Sequence, residues 1–328
     1  MDSTDLLLIK MLLRDSRTPY RELAEGLNLS VNAVHKRIQA LMAAGVIDKF
    51  TVKVSLTAMD AVTVIVFGLG REKMDEISDA IGRDERVYWV SHASGGMVYV
   101  GANLRDISEL EDLVTLVRRR AQVDSPIVGI IPSWPPGSGH EDRTLSKLDL
   151  RIVRSLSSDA RKNVSDIAEE LNTSAKTVRR RLDRMLSSDL IERSIDWYPD
   201  KTNDIISMFH LQLVPSVERF SFLNDLTARY GFSSLFFFMF SNIPDTVLFC
   251  TWSSNMKDVK EIRRRLDAER DIVSSVPYIL YGGQMYPTWR EGLVEEPLSS
   301  VEPGSLDSIP STIRLKEDPL RRSRPDGP

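Results

Sequence analysis

Asp5-Leu6-Leu7-Leu8-Ile9 and Asp149-Leu150-Arg151-Ile152-Val153 open two copies of one pattern, the second starting 144 residues after the first. The match runs without a gap to Ile47 and Ile191. Asp15 and Arg17 correspond to Asp159 and Arg161, Ala24-Glu25 to Ala168-Glu169, Leu27-Asn28 to Leu171-Asn172, and Ser30, Val34 and Arg37 to Ser174, Val178 and Arg181. Agreement at a fixed offset over such a stretch marks an internal repeat, so the chain is read as two halves of the same architecture.

Each copy predicts three helices. Asp5 and Asp149 are suitable caps for the first, whose apolar stripe is Leu8, Ile9 and Leu12 in one copy and Ile152, Val153 and Leu156 in the other. The second helix carries Leu23, Ala24 and Leu27, mirrored by Ile167, Ala168 and Leu171. Asn28 and Asn172 tolerate the left-handed backbone that stops a helix, and Ser30 and Ser174 cap the next. Helix, tight turn, capped helix is the helix-turn-helix layout.

The third helix carries the chemistry. Val34, Ile38 and Leu41 form its buried stripe in copy one, and Val178, Leu182 and Met185 in copy two. That leaves Asn32, His35, Lys36 and Gln39 outward in the first, and Lys176, Thr177, Arg179, Arg180 and Asp183 in the second. Arg pairs with guanine edges and Asn with adenine, while Lys and Arg neutralise phosphates. The expected DNA-contacting residues are therefore Ser30, Asn32, His35, Lys36 and Gln39, with Ser174, Lys176, Thr177, Arg179 and Arg180. Arg37 and Arg181 lie nearer the stripe and are candidates for bracing the module. Residues 46–54 and 190–197 alternate as strands and are expected to form a wing beside each set of helices, with Lys49, Lys53 and Arg193 facing the DNA backbone.

After each such unit, of residues 1–56 and 145–200, a second module is predicted. In residues 60–133, strands near 62–67, 87–92, 97–102 and 127–131 alternate with helices near 72–81 and 107–120. In residues 204–290, strands near 206–213, 234–239, 246–251 and 276–281 alternate with helices near 217–230 and 256–269. Both orders are βαββαβ, the ferredoxin-like arrangement. The fold class is thus α+β: two winged helix-turn-helix domains alternating with two ferredoxin-like domains. The Pro- and Gly-containing stretch 134–144 reads as a linker, and 295–328 as a disordered tail.

Bulk properties restrict the function classes. With 328 residues and a hydrophobic fraction of 42%, several packed domains are expected. A net charge of −4 argues against a whole-molecule nucleic-acid coat and leaves DNA contact to local basic faces. One cysteine, Cys250, builds neither an internal disulfide framework nor a multi-cysteine metal site. No apolar run is long enough for a membrane helix. A cytoplasmic protein without cofactor or metal is expected, and no phosphate-binding Gly-rich motif or nucleophile triad is present.

The segments Asp5 to Arg17, Glu22 to Ser30, Val34 to Leu41 and Gly45 to Ile47, with their second copy from Asp149 to Ile191, resemble the Lrp/AsnC family of transcription regulators in a double-length form. The resemblance covers residues 4–290. It implies double-stranded DNA as partner, with the ferredoxin-like modules dimerising and binding an amino acid or similar small effector. Two modules in one chain imply an internal pseudo-dimer, with further homo-oligomers expected, and unequal recognition helices suited to an imperfect palindrome. The family's Gly-x-x-Asp-like signature is incomplete: Gly95 and Gly96 lack the acid, and Asp245 follows Ile243-Pro244. These three are the candidate effector residues, although the glycines are better read as making a plain hairpin.

Two other readings stay open. Some proteins resembling this family are sirohaem decarboxylases, for which His92 is the one histidine suitably placed. The aromatic residues Phe236, Phe237, Phe238, Tyr281, Tyr286 and Trp289 would alternatively serve a DNA-architectural assembly protein.

Overall fold

The computed structural model describes residues 1–70, 74–132, 144–299 and 312–314. The first tri-helical unit is α1 (Ser3–Arg14), α2 (Tyr20–Leu27) and α3 (Val31–Ala43). Asp5 is not the cap of α1. Asp2 is, and Asp5 sits three positions inside, its carboxylate accepting from the Asp2 amide while Asp2 accepts from the Asp5 amide. An acid at the third helical position satisfies two orphan amides with its partner, which a reading of the first apolar-periodic residue alone misplaces. Asn28 closes α2 at φ 53°, and Ser30 accepts from the Ala33 amide to start α3. Strand β1 (Ile47–Val54) follows.

The chain then forms β2 (Val62–Leu69), α4 (Met74–Gly82), β3 (Val87–Ala93), β4 (Met97–Leu104), α5 (Leu110–Arg120) and β5 (Ile127–Ile130). A short β6 (Thr144–Ser146) leads into α6 (Lys147–Leu156), α7 (Val164–Glu170), α8 (Ala175–Ser187) and β7 (Ile191–Trp197). Here too the cap precedes the expected one: Ser146 caps α6 and Asp149 completes the capping box. The last elements are β8 (Ile205–Leu213), α9 (Arg219–Tyr230), β9 (Ser234–Met239), β10 (Thr246–Ser253), α10 (Met256–Asp267), β11 (Ile272–Met285), α11 (Trp289–Ser299) and β12 (Thr312–Arg314).

Eight strands form one sheet in the order β5-β2-β4-β3-β11-β8-β10-β9. The β3–β11 seam joins the halves, with Met285 opposite Trp89 and Leu280 opposite Ala93. Strand β11 therefore extends well beyond the predicted 276–281, because its first part pairs with β8 and its last part with β3. The two outer edges also meet. The Ser241 amide donates to the Ile130 carbonyl at 2.8 Å, and the Asn242 side chain accepts from the Ile130 amide and donates to the Val128 carbonyl. Unpaired edges are thereby covered. One face of the sheet carries α4 and α5 over one half and α9 and α10 over the other. The opposite face encloses a shared core of Phe67, Tyr99, Met208, Phe240, Leu248 and Cys250.

The expected wings do not form. Strand β1 pairs instead with β7, antiparallel, with Phe50 opposite Ile195 and Thr51 opposite Ser194. Each copy supplies one strand with no hairpin partner of its own, so the strand of the other half provides the missing hydrogen bonds.

The boundary at residue 290 also needs correction. Residues 289–299 form α11, so 295–299 are helical, and 312–314 pair with β6; the remainder of the segment read as disordered, like 134–143 of the linker, lies outside the described residues. Helix α11 is anchored through its first two residues. The Trp289 indole donates to the Asn103 carbonyl at 2.7 Å, and the buried Arg290 reaches the Val54 carbonyl and Glu192.

Candidate nucleic-acid interface

Helices α3 and α8 each bury one stripe and expose the other. Val34, Ile38 and Leu41, like Val178, Leu182 and Met185, are buried. Asn32, His35, Lys36 and Gln39 are exposed on α3, as are Lys176, Arg179 and Arg180 on α8, with Thr177 half-buried. Ser30 and Ser174 are exposed but occupied as caps; Ser174 also shares a hydrogen bond of 2.9 Å with the Thr177 hydroxyl.

Arg37 and Arg181 brace. Arg37 pairs with Asp2 at 2.8 Å and Asp5 at 2.7 Å, and the hydrogen bonds it donates to the Asp5 and Asp2 carboxylates hold its guanidinium even more firmly protonated. Arg181 donates to Ser146 and to Asp149, whose carboxylate is fully buried and also receives Arg184 at 2.8 Å. The third helix of each copy is thus tied to the start of the first. That fixes the roll of α3 and α8 and hence which side chains face outward.

The three strand residues expected against the DNA backbone are held by the protein itself. Lys49 and Lys53 both pair with Asp196, Lys53 also with Glu291, and Arg193 with Asp15 at 2.7 Å. A charge already paired adds little to phosphate neutralisation.

The two units are clasped to each other. Arg17 donates to the Ala160 and Lys162 carbonyls, and Arg161 donates to the Thr18 carbonyl. The Ala160 amide in turn donates to the Phe50 carbonyl at 2.8 Å. Arg161 also lies over the Tyr20 ring at 4.5 Å and the Phe50 ring at 4.9 Å. In the sequence Arg17 and Arg161 are only matching positions of the repeat; their reciprocity exists only in the fold.

The candidate effector residues are not brought together. Gly95 and Gly96 have φ of 73° and 77° and make the turn between β3 and β4, which glycine adopts without strain. Asp245 lies in the turn before β10, its carbonyl accepting from the Leu213 amide. His92 is half-buried on β3, its ring 6.2 Å from Tyr281. The histidine that the sequence did not single out is His210. It is half-buried on β8, 2.7 Å from the Tyr99 hydroxyl, and desolvation holds its pKa down at about 4.

Among the described residues no helix is long and apolar enough to cross a membrane.

Comparison with known proteins agrees with this geometry. Residues 1–48 match a winged helix-turn-helix DNA-binding family and residues 145–186 the AsnC-type helix-turn-helix domain. An uncharacterised HTH-type transcriptional regulator of Pyrococcus horikoshii is 37% identical over 97 residues, covering 29% of this chain and 66% of that protein, just under two thirds of its length. The HTH-type transcriptional regulator LysM of Sulfurisphaera tokodaii is 30% identical over 132 residues, covering 39% of this chain and 94% of that protein. In fold, the crystal structure of the siroheme decarboxylase NirDL is similar over 90% of this chain and 96% of its own, with a TM-score of 0.58 and 14% identity. With one regulator matched almost end to end and both tri-helical units matching helix-turn-helix families, the chain belongs to the Lrp/AsnC family of transcription regulators.

Proposed function

We propose that this chain is a sequence-specific DNA-binding regulator that works as an internal pseudo-dimer, its two halves taking the places of two subunits. The observation that carries this is the clasp between the tri-helical units. In β1–β7, the residues at the centre are Phe50 opposite Ile195 and Thr51 opposite Ser194, positions related by the same 144-residue offset as the sequence repeat. Arg17 and Arg161 bond reciprocally across it. A contact in which each half offers the same patch to the other is the signature of a two-fold interface. Here one covalent chain makes it, so α3 and α8 are held as a pair without a second molecule.

The two helices are unequal. Asn32, His35 and Lys36 on α3 stand where α8 has Lys176, Arg179 and Arg180. Such a pair reads an imperfect palindrome, with the α8 side contacting more phosphate or guanine. Selection of bound duplexes from a random pool tests this. Two dissimilar half-sites at a fixed spacing support it, and a perfect palindrome or no enrichment overturns it.

The fold likeness to a siroheme decarboxylase supports a second reading, tetrapyrrole chemistry near His92. We read the chain as non-enzymatic, because the curated relatives it matches are named as regulators. Titration with an iron porphyrin separates the two: a saturable shift of the Soret band, lost in His92→Ala, favours the enzyme.

A further inference from the structure

We propose that a hollow beside α8 is a binding site for a planar aromatic anion, with the size and charge of a benzoate. The site becomes visible when the two copies are laid over each other. In copy one, the first residue of α2 is Tyr20. Its ring is covered by the Arg161 guanidinium at 4.5 Å and meets the His35 ring edge-on at 5.8 Å. In copy two, the residue at the same place, the first of α7, is Val164, and Ser194 stands at the position of Phe50, the other ring under Arg161. Arg17, the counterpart of Arg161, therefore lacks both aromatic partners.

The space is left open. A cavity of about 230 Å³ lies there, bordered by Val164 and flanked by Arg17, Arg179 and Arg193. Arg17 corresponds to Arg161 and Arg179 to His35, so the cations that would surround the ring are in place. The floor is apolar, with Val52, Leu156, Leu182 and Ile191. A cavity of about 150 Å³ accepts one benzene ring, so this one holds a ring and a small substituent.

Charge selects the substituent. Asp183 also borders the hollow and Asp15 pairs with Arg193, yet among the described residues Arg179 makes no ion pair. Burial, then repulsion from Arg193, pushes Arg17 below the usual guanidinium range, although Asp15 and Asp159 offset part of this. A carboxylate reaching Arg179 or Arg193 with its ring beneath Arg17 supplies what copy one has built in: a cation–π contact and a filled cavity. The ligand would also take Arg179 away from DNA.

The test is calorimetric titration of the full chain with 4-hydroxybenzoate, and with cyclohexanecarboxylate as the non-planar control. The expected result is saturable binding, one per chain, below about 1 mM, and at least tenfold weaker for the control. Val164→Tyr places the copy-one ring in the hollow and should abolish binding while leaving the thermal midpoint unchanged or raised. Should that variant fail to fold, Arg179→Gln, on an exposed helix face, should weaken the aromatic acid at least tenfold. No binding by the native chain, equal binding of the two acids, or undiminished binding by a folded variant overturns the proposal. Because the readout is ligand binding, these outcomes are independent of whether an operator is found.

Discussion

Replacing Asp149 by Asn should destabilise the second tri-helical unit more than the matching Asp5→Asn destabilises the first. The two carboxylates hold the same place in the repeat but different surroundings. Asp149 is fully buried and accepts from Arg181, Arg184, and the amide and hydroxyl of Ser146. Asp5 is 16% exposed, accepts from the Asp2 amide and, among the described residues, forms an ion pair with Arg37 only. Removing one partner of a buried pair costs about 3–5 kcal/mol. Arg181 and Arg184 are 30% and 32% exposed, so both can regain water, and the expected cost falls to about 2–4 kcal/mol. For Asp5→Asn, with a single, partly solvated partner, about 1 kcal/mol is expected. Asn keeps the shape and an acceptor for the capping amide, so the difference reports charge. Urea unfolding followed by circular dichroism reads it: the midpoint of the Asp149 variant should fall by about 1 M, several times the shift for Asp5, with the slope unchanged. Equal shifts in the two variants would refute the argument that burial and the second arginine set the difference.

Three further outcomes are expected. Arg179→Ala with Arg180→Ala should lower the log–log salt slope of DNA binding by roughly 1.8, about 0.9 per lost phosphate contact, with circular dichroism unchanged; an unaltered slope would remove these residues from the interface. Because burial keeps His210 neutral down to about pH 4, the unfolded chain takes up its proton first as pH falls below 6.5. Stability present above that value is thus lost between pH 6.5 and 4, by about 2 kcal/mol at pH 5, and His210→Gln should flatten this part of the profile in urea melts at pH 7 and 5. Gly129→Ala should lower the thermal midpoint by several degrees, since a Cβ there would lie 2.2 Å from the fully buried Phe240 ring at the closing sheet edge; an unchanged midpoint would mean that the edge contact is readily rearranged.

Much of the architecture is written in local patterns. The stripes Val34-Ile38-Leu41 and Val178-Leu182-Met185 locate α3 and α8, and the β-branched run at Val62–Phe67 locates β2, because helical and strand periods differ. The misreadings share a different cause: partners distant in sequence. Strand β1 looks like a wing until β7 is found across from it, with 143 residues between Thr51 and its cross-strand neighbour Ser194. Residues 295–299 read as tail because nothing local shows that Trp289 and Arg290 are buried against Asn103 and Val54. The outward face of α8 was legible residue by residue. The hollow beside it was not, although the substitution of Val164 for Tyr20 was visible in the repeat, because a missing ring matters only where its packing partners remain.

The central claim, that one chain presents two recognition helices to one duplex, is tested most directly by a salt titration of binding to the DNA upstream of its own gene, with random duplex as competitor. The account predicts tight, competitor-resistant binding with one chain per site, a steep salt slope, and a smaller slope when either Lys36 or the Arg179–Arg180 pair is replaced by alanine. Binding no tighter than to random DNA, or a slope indifferent to one of the two helices, would contradict it.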